Sequence, residues 1–324
     1  MSGSRTASAA AAVDCGTNST RLLIVGDDGS ELARELRVTR LGEGVDATHT
    51  LSPAAIARTV DVLRDYRARM DQLGVADARV VATSAVRDAS NGRDFLGAAA
   101  EAAGRTIEVL SGDEEGRLAY AGAVSDLDAH AGPYVVLDIG GGSTELTARA
   151  EGRDDPRVVS LDLGCVRLTE RYLHHDPPLP AELERATAVI GAALEGAAAA
   201  LSVLRSAHRR ATLVGLAGTV TTLSMLAHRW PAQEWRRVHH SELSVETVEE
   251  WTARLAAEPV AARKARPGMA PGREDVIVGG ALVLREVMRR FGFTRCVVSE
   301  SDILDGLVAS IASTKVAGDA AGPE

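Results

Sequence analysis

Hydrophobic and polar positions follow two patterns along the chain. Short apolar runs that end at a polar or glycine-rich turn, such as residues 13–15 and 21–25, predict β-strands. A stretch with apolar residues at every third or fourth position, opened by Ser52-Pro53 and closed by Gly74, predicts a helix. The same patterns predict strands at 79–83, 107–110, 211–216 and 296–299, and helices that begin at Asn91, Ser111 and Ser244, end near Leu204, or span 274–291 and 302–311. Strands of hairpin and crossover type together indicate mixed sheets covered by helices, an α/β fold.

One short segment occurs twice. DCGTNST at residues 14–20 and DIGGGST at residues 138–144 share the aspartate, the first glycine, the serine and the threonine without gaps. Two copies of one loop in a chain of 324 residues predict two related domains that face one another. The polar segment 126–133 is the expected boundary. We therefore expect domains at 1–129 and 130–314, frayed tails at 1–10 and 315–324, and a last helix that belongs to the second domain or returns to the first.

The charge balance and the cysteines limit the function classes. The chain has 36 Lys and Arg against 45 Asp and Glu, a net charge of −9, so it has no general positive field for nucleic acid. Three cysteines at distant positions match neither a disulfide framework nor a metal-ligand spacing, which favours a reducing, cytoplasmic location. No apolar run approaches the roughly 20 residues of a membrane span. We expect no nucleic-acid or membrane partner.

Three segments combine small residues with hydroxyls directly after an apolar strand. They are GTNST at 16–20, GGGST at 140–144 and AGTVTT at 217–222. Glycine lets the backbone turn its N–H groups towards a ligand, and Ser and Thr hydroxyls add donors, a combination that suits phosphate oxygens. None of the three is a Walker motif or a dinucleotide fingerprint. Each alone is better explained by a tight turn, whereas three together favour phosphate binding.

Two aspartates, Asp14 and Asp138, stand at the ends of strands, where a buried and unpaired acid costs free energy. Mg²⁺ between a carboxylate and a phosphate would satisfy both charges. The alternative is an aspartate that closes its own turn by a side-chain hydrogen bond. Glu145, just after the second loop, is the natural additional carboxylate.

The segment SGDEEGRLAYAGA places two glutamates side by side. With Ser111 as the N-cap, Glu114 occupies the capping-box position, three residues further on. Glu115 then points about 100° further round the helix, which makes it the candidate general base for activating water. The alternative is that both acids only complement the helix dipole.

Arginines supply candidate phosphate ligands. Arg87, in ATSAVRDA after a strand, is placed to clamp a phosphate, although a lone arginine is more often a surface residue. The histidine pairs at 174–175 and 239–240 match no metal motif, and we expect them to be exposed to solvent. The densest cationic stretch, which would bind further phosphates of a long anion or lie in a solvated loop, contains Arg263, Lys264, Arg266 and Arg273.

The chain resembles the exopolyphosphatase and guanosine pentaphosphate phosphohydrolase (Ppx/GppA) family, within the actin, sugar kinase and Hsp70 ATPase superfamily. The matching segments, in order, are VDCGTNSTRLLI, RLGEGVD, ATSAVRDASNGRDF, LSGDEEGRLAYAGA, VLDIGGGSTEL, LDLGCVRLTERY, GLAGTVTTL and REDVIVGGALVL. They extend from Val13 to about Ile311. The resemblance implies two ribonuclease H-like domains with an active cleft between them. It also implies hydrolysis of a terminal phosphoanhydride with Mg²⁺ or another divalent cation.

The resemblance assigns roles to individual residues. Glu115 would be the catalytic base, and Asp138 and Glu145 would be active-site carboxylates. The metal would bind to Asp14, Asp138 and Glu145. Thr17 replaces a more common serine, and SESDILDGL near the C-terminus lacks an arginine that many relatives have there. The residues expected to bind phosphate are Gly16, Thr17, Asn18, Ser19, Ser84, Arg87, Gly141, Gly142, Ser143, Thr144, Gly218, Thr219 and Arg273.

The implied substrate is inorganic polyphosphate, with guanosine pentaphosphate as the alternative and a role in the stringent response. The chain looks like the short two-domain type, which favours short polyphosphate chains, and the family implies a homodimer. Two other interpretations stay open at this point. One is a kinase of the same superfamily, and the other is a non-catalytic regulator that binds nucleotide or polyphosphate.

Overall fold

The computed structural model describes residues 9–128, 132–149, 155–200 and 211–320, with the backbone only from 314 to 320. It divides into two compact units: Met1–Ser111 together with Ile303–Glu324, and Gly112–Asp302. The division falls after Ser111 rather than in the expected segment 126–133, because the helix that begins at Gly112 packs against the second sheet. The last helix belongs to the first unit.

The first unit is built on a five-stranded sheet in the order β3-β2-β1-β4-β5. Strands β1, β2 and β3 form an antiparallel meander, and β4 and β5 continue the sheet in parallel with β1. The strands are β1 (Ala9–Cys15), β2 (Ser19–Val25), β3 (Glu31–Val38), β4 (Val75–Ala82) and β5 (Ile107–Val109). The helices are α1 (Val45–Thr48), α2 (Pro53–Gln72), α3 (Ser84–Arg87), α4 (Gly92–Ala103) and, from the C-terminal end of the chain, α12 (Ile303–Ala320).

The second unit has a six-stranded sheet in the order β10-β11-β9-β6-β7-β8. Its strands are β6 (Tyr134–Ile139), β7 (Thr144–Ala148), β8 (Arg157–Leu161), β9 (Thr212–Leu216), β10 (Glu242–Ser244) and β11 (Arg295–Val298). Read from β8 to β11, the order and the strand directions repeat those of the first sheet from β3 to β5, and β10 adds one antiparallel edge strand. The α/β fold and the duplicated ribonuclease H-like topology are therefore confirmed.

The helices of the second unit surround this sheet, and each unit has its own apolar core. They are α5 (Gly112–Val124), α6 (Cys165–Tyr172), α7 (Pro180–Ala200), α8 (Ala217–His228), α9 (Val245–Ala256), α10 (Val260–Lys264) and α11 (Ile277–Phe291), with a 3₁₀ helix at Ala232–Val238. The predicted end of the long helix near Leu204 lies outside the described residues. Among the helices of the described segments, none is long and apolar enough to cross a membrane.

Local capping explains several helix starts. The Ser52 hydroxyl accepts a hydrogen bond from Ala55 N at 3.2 Å, with Pro53 in the first helical turn, and Ser244 caps α9 in the same way. Asn91 precedes α4 as predicted, but its side chain does not cap the helix. Its amide instead bonds to both backbone groups of Leu51, at 2.8 and 3.0 Å, and so ties two loops together.

Some expectations differ from the structure. The segment AGTVTT is not a loop, because α8 begins at Ala217 directly after β9. Strands β3, β8 and β10 were not predicted, since each is short or exposed and lacks a continuous apolar run. Both tails are shorter than expected: β1 begins at Ala9 and α12 continues to Ala320, while residues 1–8 and 321–324 lie outside the described residues.

Candidate active site

A row of polar side chains crosses the second sheet at one level. Asp138 on β6 is the register partner of Glu145 on β7, and Glu145 is the partner of Ser160 on β8. Residues directly opposite one another on neighbouring strands project to the same face of a sheet. Asp138 and Glu145 are only 7% and 1% exposed. Two carboxylates are therefore buried side by side in this row.

The two oxygens of Glu145 have different surroundings. Oε1 accepts a hydrogen bond from the Ser160 hydroxyl at 2.7 Å. Oε2 is buried and has no hydrogen-bond partner among the described residues. Burial raises the pKa of Glu145 well above its usual range, and the negative charges of Glu115 and Asp138 raise it further. Three acids thus converge where a cation would lower the free energy of the charged state.

Helix α5 brings Glu115 to this row by packing very closely on strands β7 and β8. A Cβ atom at Gly116 would lie 2.4 Å from Val158 Cγ1 and 2.8 Å from Thr147 Oγ1, so a side chain there would force the helix or these neighbours to move. Glu115 is half-buried whereas Glu114 is exposed, which agrees with different directions for the two side chains. The capping box between Ser111 and Glu114 stays a prediction.

The first turn of α6 supports the second glycine loop through hydrogen bonds. The backbone N–H groups of Cys165 and Val166 donate to the carbonyls of Gly140 and Gly141 at 3.0 and 2.9 Å. Arg167, which the sequence did not single out, donates its Nε to the carbonyl of Gly142 at 2.7 Å. Because these donors occupy the loop carbonyls, the loop keeps a fixed shape.

This close support of the loop has a steric requirement at Gly164. A Cβ atom there would lie 2.1 Å from the Gly141 oxygen. Thr144, which we expected to bind phosphate, is fully buried and donates its hydroxyl to the carbonyl of Leu163. A hydroxyl has one proton to donate, so the Thr144 side chain supports the loop instead of offering a donor to a ligand. Gly141, Gly142 and Ser143 stay candidate phosphate ligands.

The third segment places a cation over a helix N-terminus. A Cβ atom at Gly218 would lie 2.3 Å from Arg273 Cζ, so the glycine makes room for the guanidinium beside the first turn of α8. Arg273 is only 8% exposed. Thr219 is also buried, and it packs against Gly280 of α11. A helix N-terminus and a buried arginine both favour an anion. Gly218, Thr219 and Arg273 therefore form one local group.

The first loop has the same turn as the second, with a different charge pattern. The N–H of Gly16 donates to Ser19 O at 3.0 Å, as Gly140 N does to Ser143 O in the second loop. Asp14 and Arg21 are register partners, in the positions that Asp138 and Glu145 occupy in the second unit. The Arg21 guanidinium binds Asp14 Oδ2 through two nitrogens, at 2.7 and 3.2 Å. This counter-charge makes Asp14 a weaker metal ligand than expected, and that role stays a prediction.

Donors gather around the first loop. The Thr17 and Ser84 hydroxyls bond to one another at 2.9 Å, which leaves one proton of the pair for another acceptor. The Asn18 amide nitrogen is buried and has no hydrogen-bond partner within the described segments. Arg87 donates Nη1 to the carbonyl of Leu110 at 2.7 Å, which anchors its guanidinium. Thr17 and Ser84 are thus in contact, and the phosphate role of all four residues stays a prediction.

The cationic stretch at the end of α10 and directly after it has a structural role, apart from Arg273. Arg263 is 2% exposed, and its guanidinium binds Asp176 at 2.7 Å and the backbone carbonyls of Glu258 and Glu274. Arg266 pairs with the carboxylate of Glu258. Their donors are thus occupied within the protein, and the expectation that this stretch binds further phosphates is wrong for these two arginines.

The histidine pair at 239–240 contacts Asp126, whereas we expected it to be exposed to solvent. His239 Nε2 lies 2.8 Å from Asp126 Oδ2, and His240 Nε2 lies 3.5 Å from Asp126 Oδ1. The two rings are stacked, with centroids 3.8 Å apart, so an ion in the plane of one ring would lie off the plane of the other. The N–H of Glu300 donates to His239 Nδ1, so a neutral His239 carries its proton on Nε2, facing Asp126. The group is a hydrogen-bonded cluster and does not suit a metal ion.

Sequence reasoning missed Ser160, Arg167 and the glycines of α5. The spacing of Gly112 and Gly116, four residues apart, is a readable signal of one small helix face. Ser160 gave no signal, since its contact depends on the register of an unpredicted strand.

Two ribonuclease H-like units, with glycine-and-hydroxyl loops after matching strands and a buried row of acids in one unit, define the class of enzymes that act on phosphate groups. A family model described as the Ppx/GppA phosphatase family matches residues 24–315. The chain belongs to this family and is a phosphatase, which confirms the resemblance seen in the sequence.

Individual relatives are similar to this chain over nearly its whole length. The chain is 42% identical to Exopolyphosphatase 2 of Mycobacterium tuberculosis over 322 residues, which cover 93% of this chain and 98% of the relative. The crystal structure of an exopolyphosphatase-like protein matches with a TM-score of 0.88 and 32% identity, over 95% of this chain and 99% of the other. An Aquifex aeolicus member of the Ppx/GppA family matches with a TM-score of 0.75 and 29% identity, over the same shares.

Proposed function

We propose that this phosphatase is an exopolyphosphatase, which hydrolyses the terminal phosphoanhydride of inorganic polyphosphate by in-line attack of water and releases orthophosphate. Three observations support the substrate: the family, the name of the Mycobacterium tuberculosis relative, and glycine-and-hydroxyl loops in both units. The observation that carries the mechanism is the acidic row, in which Glu115 acts electrostatically on the buried Glu145.

A divalent cation fits the acidic row. Glu145 Oε2 is a buried carboxylate oxygen without a partner among the described residues, and Asp138 is its register neighbour. Carboxylate oxygens are the ligands that Mg²⁺ prefers. We therefore assign the cation to Asp138 and Glu145, and we place Asp14 second because of its ion pair with Arg21. When bound, the cation would neutralise charge on the reacting phosphate oxygens.

The chain's own residues would carry the proton and hold the phosphates. Glu115 would accept the proton of the attacking water, since it is the half-buried acid of the α5 pair. The unpartnered Asn18 amide would donate to a phosphate oxygen in the first unit. Arg273, beside the first turn of α8, would stabilise negative charge in the second unit. The unpartnered Asn18 amide would thus bind the anionic substrate, and the unpartnered Glu145 oxygen would bind its counter-cation.

The base is tested by Glu115→Gln, with Glu114→Gln as the matched control. We expect Glu115→Gln to lower kcat for orthophosphate release about 10²–10⁴-fold, while binding of polyphosphate is retained. The exposed neighbour Glu114 should tolerate the same change with little effect. Turnover near the wild-type rate in Glu115→Gln would remove the base assignment.

Guanosine pentaphosphate is the second candidate substrate, because its 5′ end is a phosphoanhydride chain and the family name includes this activity. Side-by-side kcat/KM values on guanosine pentaphosphate and on polyphosphates of graded length would decide between them. A preference for short chains, which the family resemblance implies, also stays a proposal. A homodimer and a cytoplasmic location also remain proposals. The three free, buried cysteines are compatible with a reducing compartment.

A further inference from the structure

The two carboxylate oxygens of Glu145 differ in their hydrogen bonds, and the Ser143 hydroxyl also acts on this carboxylate. Oε1 accepts the Ser160 hydroxyl at 2.7 Å, while Oε2 is buried without a partner among the described residues. We propose that Ser160 is a positioning residue, whose hydroxyl fixes the rotation of the Glu145 carboxylate so that Oε2 is the oxygen available to the divalent cation. This inference rests on the proposed function, since it assumes that Glu145 is a metal ligand.

The contact is built into the sheet. Glu145 and Ser160 are register partners in the antiparallel pair of β7 and β8, so their side chains project to the same face and are close neighbours. Strand β8 is the edge of the sheet, where a serine hydroxyl can also bond to solvent, yet the Ser160 hydroxyl donates to Glu145. Strand β7 lies between β8 and β6, so Glu145 has Ser160 on one side and Asp138 on the other. The hydroxyl therefore approaches Glu145 from the side opposite to the second carboxylate.

Helix α5 approaches Ser160 closely on one side, while the serine is also exposed to solvent. A Cβ atom at Gly112 would lie 2.5 Å from both Cβ and Oγ of Ser160, and 3.8 Å from Glu145 Oε1. Glycine at position 112 thus makes room for the hydroxyl, and the nearby helix backbone limits the positions that the hydroxyl can adopt. Glu145 is buried and the helix limits the serine on one side, which supports a defined hydrogen bond between them.

Loss of the hydroxyl would affect the metal more than the substrate. In Ser160→Ala, Oε1 would also lack a donor, and the carboxylate could rotate between two equivalent oxygens. Replacing a hydrogen-bond partner of a metal ligand typically costs about 10–100-fold in metal affinity or activity. No phosphate-binding group assigned above contacts Ser160, so the KM for polyphosphate should change little.

The experiment measures the metal directly. Mn²⁺ binding to the full-length protein without substrate, by electron paramagnetic resonance or calorimetry, should weaken about 10–100-fold in Ser160→Ala. The Mg²⁺ concentration that gives half-maximal activity should rise by a similar factor, with kcat recovering at saturating Mg²⁺ and KM within about twofold. Ser160→Thr keeps the hydroxyl and should restore most of the affinity. Ser125→Ala removes a hydroxyl that donates to the Gly122 carbonyl at 2.8 Å, away from the acidic row, and it should match the wild type.

Each outcome has a defined meaning. Unchanged Mn²⁺ affinity in a folded Ser160→Ala protein would overturn the inference, and so would an equal loss of affinity in Ser160→Thr. If the wild type binds Mn²⁺ but hydrolyses no polyphosphate, the proposed function fails, whereas the comparison of metal affinities still tests the role of Ser160. If Ser160→Ala does not fold, the hydroxyl-retaining Ser160→Thr decides, and it should bind Mn²⁺ like the wild type.

Discussion

The substitution Gly116→Ala should shift helix α5, and so lower the reaction rate, with a much smaller effect on the stability of the fold. The new Cβ would lie 2.4 Å from Val158 Cγ1 and 2.8 Å from Thr147 Oγ1, whereas carbon atoms in contact lie about 3.5–4.0 Å apart. The first turns of α5 must therefore move away from the sheet by about 1 Å. Glu115 is the residue directly before Gly116 and would move with them.

The effects on stability and on rate should differ in size. Overpacking costs about 1–3 kcal/mol, but alanine in a helix gains about 1 kcal/mol over glycine, so the free energy of unfolding should fall by about 0–2 kcal/mol. A misplacement of about 1 Å at a reacting group can cost about 10²-fold in rate. We expect kcat for orthophosphate release to fall about 100-fold in a protein that is still folded. Chemical denaturation and steady-state kinetics on the same preparation measure both quantities.

Gly196→Ala is the matched control. Gly196 also lies inside a helix of the second unit, α7, and a Cβ atom there would meet nothing within 4 Å. This variant should keep its kcat and gain about 0.5–1 kcal/mol. If folded Gly116→Ala retains the wild-type kcat, then either the glycine does not set the position of α5 or Glu115 does not take part in the reaction, and the reasoning fails.

Two further predictions concern the paired charges of the duplicated hairpins. The folded-state pKa of Glu145 is raised by burial and by the charges of Glu115 and Asp138, so wild-type stability falls as the pH rises from the ordinary glutamate range through that raised pKa. Glu145→Gln should remove this pH dependence and raise the free energy of unfolding at neutral pH by about 1 kcal/mol. Mg²⁺ at a hundred times its dissociation constant stabilises the wild type by roughly 2.7 kcal/mol, and the variant should lose most of this stabilisation. A thermal shift with Mg²⁺ equal to that of the wild type would contradict the prediction. Arg21→Met should cost about 3 kcal/mol or more in urea denaturation, because Asp14 stays buried without its counter-charge. Addition of Asp14→Asn should recover much of that loss, and an equal loss in the double variant would show that the ion pair is not its cause.

Much of the fold could be predicted because its central strands are buried and apolar. Strands β1, β6 and β9 appear as apolar runs, and the repeated DxGxxST segment indicated the duplication. The edge strands β3 and β8 were missed because solvent on one side permits charged and polar residues among the apolar ones.

The site was predictable where it depends on local spacing and unpredictable where it depends on register. Glu115 follows from its place in the first turn of a helix, and Asp138 from the repeated loop. The different charges of Arg21 and Glu145 could have been read from the aligned copies, in which the residue after Ser-Thr is arginine in one and glutamate in the other. The contact of Ser160 with Glu145 could not, since it is set by the register between β7 and the unpredicted strand β8.

The matching hairpins solve one electrostatic problem in two ways. One copy carries an internal counter-ion in Arg21, so its neutrality is independent of the ionic composition of the surroundings. The other copy has glutamate in that place, so a second acid stands beside Asp138. Under the proposed function a divalent cation would supply the positive charge there, and the two hairpins should therefore respond differently to added Mg²⁺.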